Sequence, residues 1–483
     1  MAGFNEKSQY RRWIEPAKPS SLYPFAYNFV LIKSIEELKQ VLNQNFDVIA
    51  FDTETTGLNL DEAYLVGYSF CFDDKTAYYV PVDHAEYFEV TKEMEISKDT
   101  YENALKNEIP QGINYVIKDD KYFYQEGYIV KPGLGKESVD IFYERILKCR
   151  YVFMFNARFD MRVFEKYGFV QDKVDYDTRY SKLFNYYDMS KVNFMDVQVL
   201  VFLVDTNVPY PSLKKSEEYY LGWRGASFEE TLGDVENFYY LKPEEAYIYA
   251  ATDALGTFLL AEKLWQFYTE PEQHTQGPYT SSFLDNKFLY PLLLMEEELV
   301  NIDVPLLQDY SKHYEEEINA IQEEAFRING QPFNMGSPKQ KSEAFNKLNI
   351  ITYEADGSRA INKRGEIKGD KKHLEAAMNS YEENDIRRTF IKDILQFATL
   401  NKQKGTYTDN FIEMCKKSKY GNRLRFSYKT MVVPSGRLAA GGDKKNSYFA
   451  DANIQNITKP TMTEVYYIHK SSLKELGIFA SAK

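Results

Sequence analysis

Cysteine is scarce in this chain of 483 residues: Cys71, Cys149 and Cys415 lie far apart, outside any CxxC or Cys/His spacing. That excludes a disulfide framework and a cysteine-based zinc site, and it fits a reducing compartment. No apolar run approaches membrane-spanning length. The first twenty residues mix charges with prolines where a signal peptide needs an apolar stretch. A cytoplasmic protein with no membrane partner is expected. Basic charge is also short, 59 Lys/Arg against 72 Asp/Glu, so the net charge of −13 excludes a uniformly basic surface of the kind many nucleic-acid binders carry. No internal repeat stands out.

What is present is the mix of an ordinary globular chain, 44% hydrophobic and 27% charged, long enough for two or three domains. Forty tyrosines and 33 phenylalanines supply both cores and base-stacking surfaces. The charge is uneven. Residues 401–445 hold eleven Lys/Arg against Asp409, Glu413 and Asp443. A basic block on an acidic body can track phosphates, although charge alone reads equally as a solvated surface run.

Strands are expected at 47–51, 64–72 and 77–82, preceded by a helix on Ile35, Leu38, Val41 and Leu42 with Ser34 as its cap. Residues 85–139 turn charged and irregular, with Pro110, Gly112, Gly127, Pro132, Gly133 and Gly135, and read as an insertion. A buried-type strand at 151–155 follows, then helices from 158, over 196–203 and over 243–265, the last with Pro243 at its start. The stretch EPEQHTQGPY at 270–279 reads as a linker, and the periodic segments beyond it as a mostly helical domain.

Chemistry is carried by carboxylates. Asp52-Thr53-Glu54 directly follows the apolar run Val48-Ile49-Ala50-Phe51. On a strand, residues two apart share a face, so both carboxylates converge and repel unless a cation lies between them; hard oxygen ligands suit Mg²⁺ or Mn²⁺. Asp160, in Asn156-Ala157-Arg158-Phe159-Asp160, falls at a helix start after another buried strand. Tyr249 and Asp253, four apart in a helix, share a face. Each alone has a bland reading: a surface pair, an acid favoured at a helix N-terminus, a buried Tyr beside a solvated Asp.

As an ordered set, Asp-x-Glu, Asn-x-x-x-Asp and Tyr-x-x-x-Asp resemble the three motifs of the DEDDy 3′→5′ exonucleases. Phe51-Asp52-Thr53-Glu54-Thr55-Thr56-Gly57-Leu58, Tyr78-Tyr79-Val80-Pro81-Val82, and Pro211-Ser212-Leu213-Lys214 followed by Tyr220-Leu221-Gly222 resemble the proofreading domain of family A (polymerase I-like) DNA polymerases. The resemblance implies a ribonuclease H-like α/β fold. It also implies two divalent ions, Mg²⁺ or Mn²⁺. Asp52, Glu54 and Asp253 would hold one, Asp52 the second, and Asp160 would act through bound water. Tyr249 would orient the nucleophile with Glu54, Leu58 would wedge against the terminal base, and Asn156 would help hold the strand end.

The second half extends the likeness. Residues 291–305 resemble the entry to the family's thumb, and Phe333-Asn334-Met335-Gly336-Ser337-Pro338-Lys339-Gln340 matches a thumb stretch, with Lys341 replacing an apolar residue. Lys404-Gly405-Thr406-Tyr407-Thr408-Asp409 resembles a segment contacting duplex backbone, where Lys404 and Thr406 would touch phosphates; a helix cap is the bland alternative for Thr406. Ser435-Gly436-Arg437-Leu438 and Asn453-Ile454-Gln455-Asn456-Ile457 resemble minor-groove contacts near the primer terminus, made by Arg437, Gln455 and Asn456. Ser435 replaces Thr, and the loop from Ala439 to Ala452 is longer than in the family.

The family's catalytic palm carboxylates and nucleotide-binding finger helix have no counterpart before Lys483. They are expected on a second polypeptide of a split polymerase, or in the remainder of a truncated one. A phage origin, and so the host cytoplasm, is expected by analogy. The expected domains are an N-terminal tail (1–28), an exonuclease domain (29–268, insertion 85–139), a linker (269–284), an α-rich thumb (285–424) and the start of a palm (425–483). The expected partners are single-stranded DNA 3′ ends and primer–template duplex. An RNase D-like exoribonuclease and a non-catalytic DNA-binding subunit are the alternatives.

Overall fold

Val48–Thr55 forms the strand (β2) around which the first half is built. Its apolar half, Ile49 to Phe51, is fully buried, so the carboxylates that follow are carried to the edge of a core. In this computed structural model, residues 27–456 are described, apart from 107, 172–186, 210, 224, 270–277 and 442–446. The tail expected at 1–28 and the linker expected at 269–284 therefore fall wholly or partly outside the described residues. Among the described residues, no helix is long and apolar enough to cross a membrane.

Two units are distinguished, Met1–Glu298 with Ser427–Tyr448, and Leu299–Phe426 with Phe449–Lys483. The chain thus changes unit at Glu298, beyond the expected linker, and residues 427–448 belong with the first unit rather than with a separate C-terminal one.

The first unit contains a six-stranded mixed sheet. Its strands are β1 (Asn28–Leu31), β2, β3 (Leu65–Cys71), β4 (Thr76–Pro81), and, after the intervening segment, Tyr151–Met154 and Phe194–Asp196, in the order β1-β4-β3-β2 followed by those two. β2 pairs antiparallel with β3, setting Asp52 opposite Ser69 and Glu54 opposite Gly67, and parallel with Tyr151–Met154. Gly67 is required by packing: a Cβ there would lie 2.1 Å from the Tyr79 hydroxyl. Ser34 caps α1 (Ile35–Leu42), accepting from the Glu37 amide.

The segment read as irregular, 85–139, is ordered. β5 (Tyr87–Ile96), β6 (Ile113–Lys118) and β7 (Lys121–Val130) make a separate antiparallel sheet in the order β5-β7-β6, joined by α2 (Lys98–Ala104). Its charges are cross-strand partners: Lys92 with Glu126, Lys118 with Glu93, Lys121 with Glu95. A charge-rich stretch that alternates with Tyr, Phe, Val and Ile is a two-faced strand, whose period charge content alone conceals.

α3 (Gly135–Ile146) leads into β8 (Tyr151–Met154), α4 (Ala157–Gln171), β9 (Phe194–Asp196) and α5 (Val197–Val204). A short helix, α6 (Leu213–Ser216), runs into a π-helical turn at Glu217–Leu221 that ends on Gly222 at φ 76°. α7 (Phe228–Leu232) precedes the long α8 (Pro243–Thr269), which packs across β1 to β4, and α9 (Pro278–Glu298) follows. The main core joins β2, β8, α5 and α8 through Ala50, Phe153, Leu200, Val201, Ala251, Leu255 and Phe258.

The second unit is mostly helical. α10 (Val304–Asn329), α11 (Pro338–Lys347), α12 (Lys371–Asn379) and α13 (Ile386–Lys402) enclose a core of Ile318, Ala325, Phe345, Leu374, Phe390, Ile394 and Phe397. A π-helical stretch, Gln403–Asp409, continues into α14 (Asn410–Lys417). β10 (Val300–Asn301) pairs with β11 (Arg423–Leu424). In the first unit, β12 (Tyr428–Lys429) pairs with β13 (Ala439–Ala440).

Candidate active site

Three elements bring the predicted carboxylates together. β2 supplies Asp52 and Glu54, the first turn of α4 supplies Asp160, and α8 supplies Asp253 one turn beyond Tyr249. Thr53, the residue between the strand carboxylates, clamps α4 to β2: its amide donates to Asp160 Oδ1 at 3.1 Å and its hydroxyl at 2.6 Å. The start of α4 is set from outside. Asn156 sits at φ 67°, and Asp196 accepts from the amides of Asn156 (3.0 Å), Ala157 (3.0 Å) and Gln198 (2.9 Å). One carboxylate thereby caps both α4 and α5.

Glu54, Asp160 and Asp253 are buried, Asp52 is half-buried, and the four acids repel one another. Burial, then Asp160, Glu54 and Asp253, hold the Asp52 carboxyl well above the ordinary carboxylate range. Glu54 is raised by burial and by Asp253, and Asp253 by burial. Burial pushes Asp160 up to about 8 against the two bonds from Thr53. Glu54 Oε1 has no hydrogen-bond partner among the described residues. The Tyr249 hydroxyl helps lower the Asp253 pKa, and burial beside these charges raises that of Tyr249 itself. Its ring lies near those of Phe228 and Phe238, with centroids 6.2 and 6.1 Å away.

Opposing charge comes from a motif residue to which the sequence assigns no role. Lys214, on α6, donates to Asp253 Oδ1, lies 3.7 Å from Glu217 Oε2 and 5.1 Å from the Tyr249 ring centroid. It lowers the pKa of Asp52, Glu54 and Asp253 alike. The donor set, hard oxygens of like charge with one orphaned buried oxygen, is chemistry that fits Mg²⁺ or Mn²⁺. Among the described residues, no three acids or other ligating groups are closed round one point.

Leu58 is exposed, four residues beyond Glu54. It lines a groove of about 460 Å³ with Thr56, Asn59, Tyr64, Tyr239 and Tyr240. The remaining predicted contacts lie on elements of both units. Arg437 is exposed between β12 and β13 of the first unit, after Gly436 at φ 70°. Lys404, in the second unit, is ion-paired with Asp409 at 2.8 Å and Glu315 at 3.8 Å. Thr406 is exposed inside the π-helical stretch, where it caps nothing. Gln455 and Asn456 lie in a 3-10 turn, Ile454–Asn456, with Gln455 exposed.

Residues 304–470 match the family model described as DNA polymerase family A. Over these residues the chain is similar to the family A DNA polymerases. It is 26% identical over 416 residues to DNA polymerase I of Pseudomonas aeruginosa, covering 85% of this chain and 36% of that protein. It is 24% identical over 428 residues to DNA polymerase I of Borreliella burgdorferi, covering 88% and 36%. Over 209 residues, 42% of this chain and 22% of the other, it is 30% identical to the thermostable DNA polymerase I of Thermus thermophilus. The chain thus spans little more than a third of the length of its first relatives. Among solved structures, the polymerase domain of Pol1 from M. smegmatis, in complex with DNA primer-template and dNTP, superposes with a TM-score of 0.56 at 15% identity. That match covers 90% of this chain and 56% of the other.

Proposed function

We propose that this polymerase relative carries a metal-dependent 3′→5′ exonuclease, of the DEDDy kind on a ribonuclease H-like fold, that proofreads DNA 3′ ends. The observation that carries the reading is the convergence of four carboxylates, three of them buried and Asp52 half-buried, with Tyr249 from β2, α4 and α8. A purely structural core has no use for such a set, because each uncompensated buried charge destabilises the fold.

Asp52, Glu54, Asp160 and Asp253 would hold two divalent ions, Mg²⁺ or Mn²⁺. When bound, such ions supply activated water at neutral pH and stabilise charge on the leaving oxygen. The chain's own residues do the positioning. Tyr249, held by Asp253, presents its hydroxyl to the attacking water together with Glu54. Leu58 presses against the terminal base, and Asn156 holds the strand end. Tyr64, Tyr239 and Tyr240 give the neighbouring groove aromatic faces, on which bases stack without sequence preference. Lys404, Thr406, Arg437, Gln455 and Asn456 are assigned to primer–template contact by their resemblance to family motifs.

The test is degradation of a 3′-mismatched primer–template with Mg²⁺, with EDTA, and with Asp52→Ala. Stepwise shortening is expected with Mg²⁺ only, with the variant slower by at least about a thousandfold. No shortening with DNA binding intact would replace this reading with a non-catalytic DNA-binding subunit. Preference for RNA ends would replace it with an exoribonuclease.

A further inference from the structure

A carboxylate outside the DEDDy set is buried beside it. Glu217 is 0% exposed, and among the described residues no donor lies within hydrogen-bond distance of either oxygen. The fold makes room for it: α8 has Gly256 one turn beyond Asp253, and a Cβ there would lie 1.9 Å from Glu217 Oε1. Lys214 stands between the two acids, donating to Asp253 and lying 3.7 Å from Glu217. The segment bearing both is anchored at each end. Gln198 Nε2 donates to the Pro211 carbonyl at 2.8 Å, and Lys263 Nζ to the Tyr220 carbonyl at 2.5 Å. A buried acid with unsatisfied oxygens needs a reason to persist.

We propose that Lys214 is a resident counter-ion of the carboxylate cluster, holding Asp253 in the metal-free protein and withdrawing to Glu217 when a divalent ion binds. The inference rests on the exonuclease reading and adds to it a residue pair that sets metal affinity. Transfer requires the ammonium to approach Glu217 by about 1 Å, to the usual length of a charge-assisted hydrogen bond. Lysine suits the task because its compact charge sits on a flexible stem, whereas an arginine fork would lock to one acid. Glu217 is a positioning residue, acting on the metal site through Lys214.

The measurement is Mn²⁺ binding to the full chain, followed by electron paramagnetic resonance of free Mn²⁺, with circular dichroism on the same samples. Lys214→Met removes a competing positive charge and should bind Mn²⁺ at least about tenfold more tightly. Glu217→Gln removes the seat and should bind it several-fold more weakly. In the Lys214→Met background the same Glu217 change should have much less effect, since no ammonium needs reseating. Gly256→Ala, which displaces the Glu217 carboxylate, should behave like Glu217→Gln if that variant folds poorly. Unchanged or weaker binding by Lys214→Met overturns the counter-ion. Equal effects of Glu217→Gln in both backgrounds overturn the seat, leaving it a bulk charge. Either result leaves the exonuclease standing as long as wild type binds Mn²⁺ and Asp52→Ala does not. Failure of wild type to bind would sink both readings.

Discussion

Asp196 shows how much one side chain outside the reacting set can govern. Its two oxygens receive amides from Asn156, Ala157 and Gln198, and its own amide donates to Asn286 Oδ1 at 2.5 Å. Burial pushes its carboxyl up to about 6 in spite of those bonds. Asp196→Ala strips the caps of two helices and should cost about 2 kcal/mol or more in urea unfolding. It should also slow the exonuclease by loosening the turn from which α4, and so Asp160, departs. Tyr249→Phe should separate differently. The ring keeps its neighbours, so stability should change by less than about 1 kcal/mol, while the mismatch-removal rate falls by about a hundredfold. Asp196 escaped sequence reading because an aspartate before an apolar helix signals one cap, and nothing local reveals that it serves a second helix forty residues upstream.

At the level of elements, β2 was readable because an apolar run ending in two acids has one plausible pleat. α8 was readable because Tyr249 and Asp253 share a face under an apolar stripe. The sheet of β5, β6 and β7 was not, since its ion pairs form between strands and each strand alone looks merely charged. α4 was half read. Its first turn presents Asp160 to β2, while Arg158, Arg162 and Lys166, each four apart, present a second face. Arg158 meets Glu296 at 3.0 Å and the Tyr428 carbonyl at 2.8 Å, Arg162 reaches Glu296 and, at 2.8 Å, Glu297, and Lys166 donates to Tyr448. The partners are over 130 residues away, so no window of sequence pairs them. Arg162→Met leaves buried glutamates short of a cation and should cost about 3 kcal/mol in unfolding free energy. A loss under about 1 kcal/mol would mean that Arg158 and Lys166 suffice.

For the whole molecule, the buried acids predict an inverted response to pH. Burial pushes the Asp160 and Glu217 carboxyls up to about 8 in the folded chain, from ordinary values of 3.8 and 4.5. Groups raised on folding contribute stability that is complete below their unfolded pKa and is lost as pH climbs through the folded one. In EDTA, the melting temperature should therefore decline from about pH 5 to about pH 8. Asp160→Asn should flatten that decline, and Mg²⁺ should reduce it by giving the ionised cluster a partner. A flat or rising melting temperature in EDTA would contradict the burial of these charges.

The route of the backbone has its own consequence. The chain leaves the first unit at Glu298, returns at Ser427 for the β12–β13 hairpin and departs again after Tyr448. That returning segment provides the Tyr428 carbonyl and the Tyr448 side chain that α4 grips. A nascent chain emerging from the ribosome therefore cannot complete the portion it starts with until it has already made residues 299–426. The unit synthesised first is the one that must wait, its α4 cations short of these partners, for a hairpin translated more than two hundred residues later.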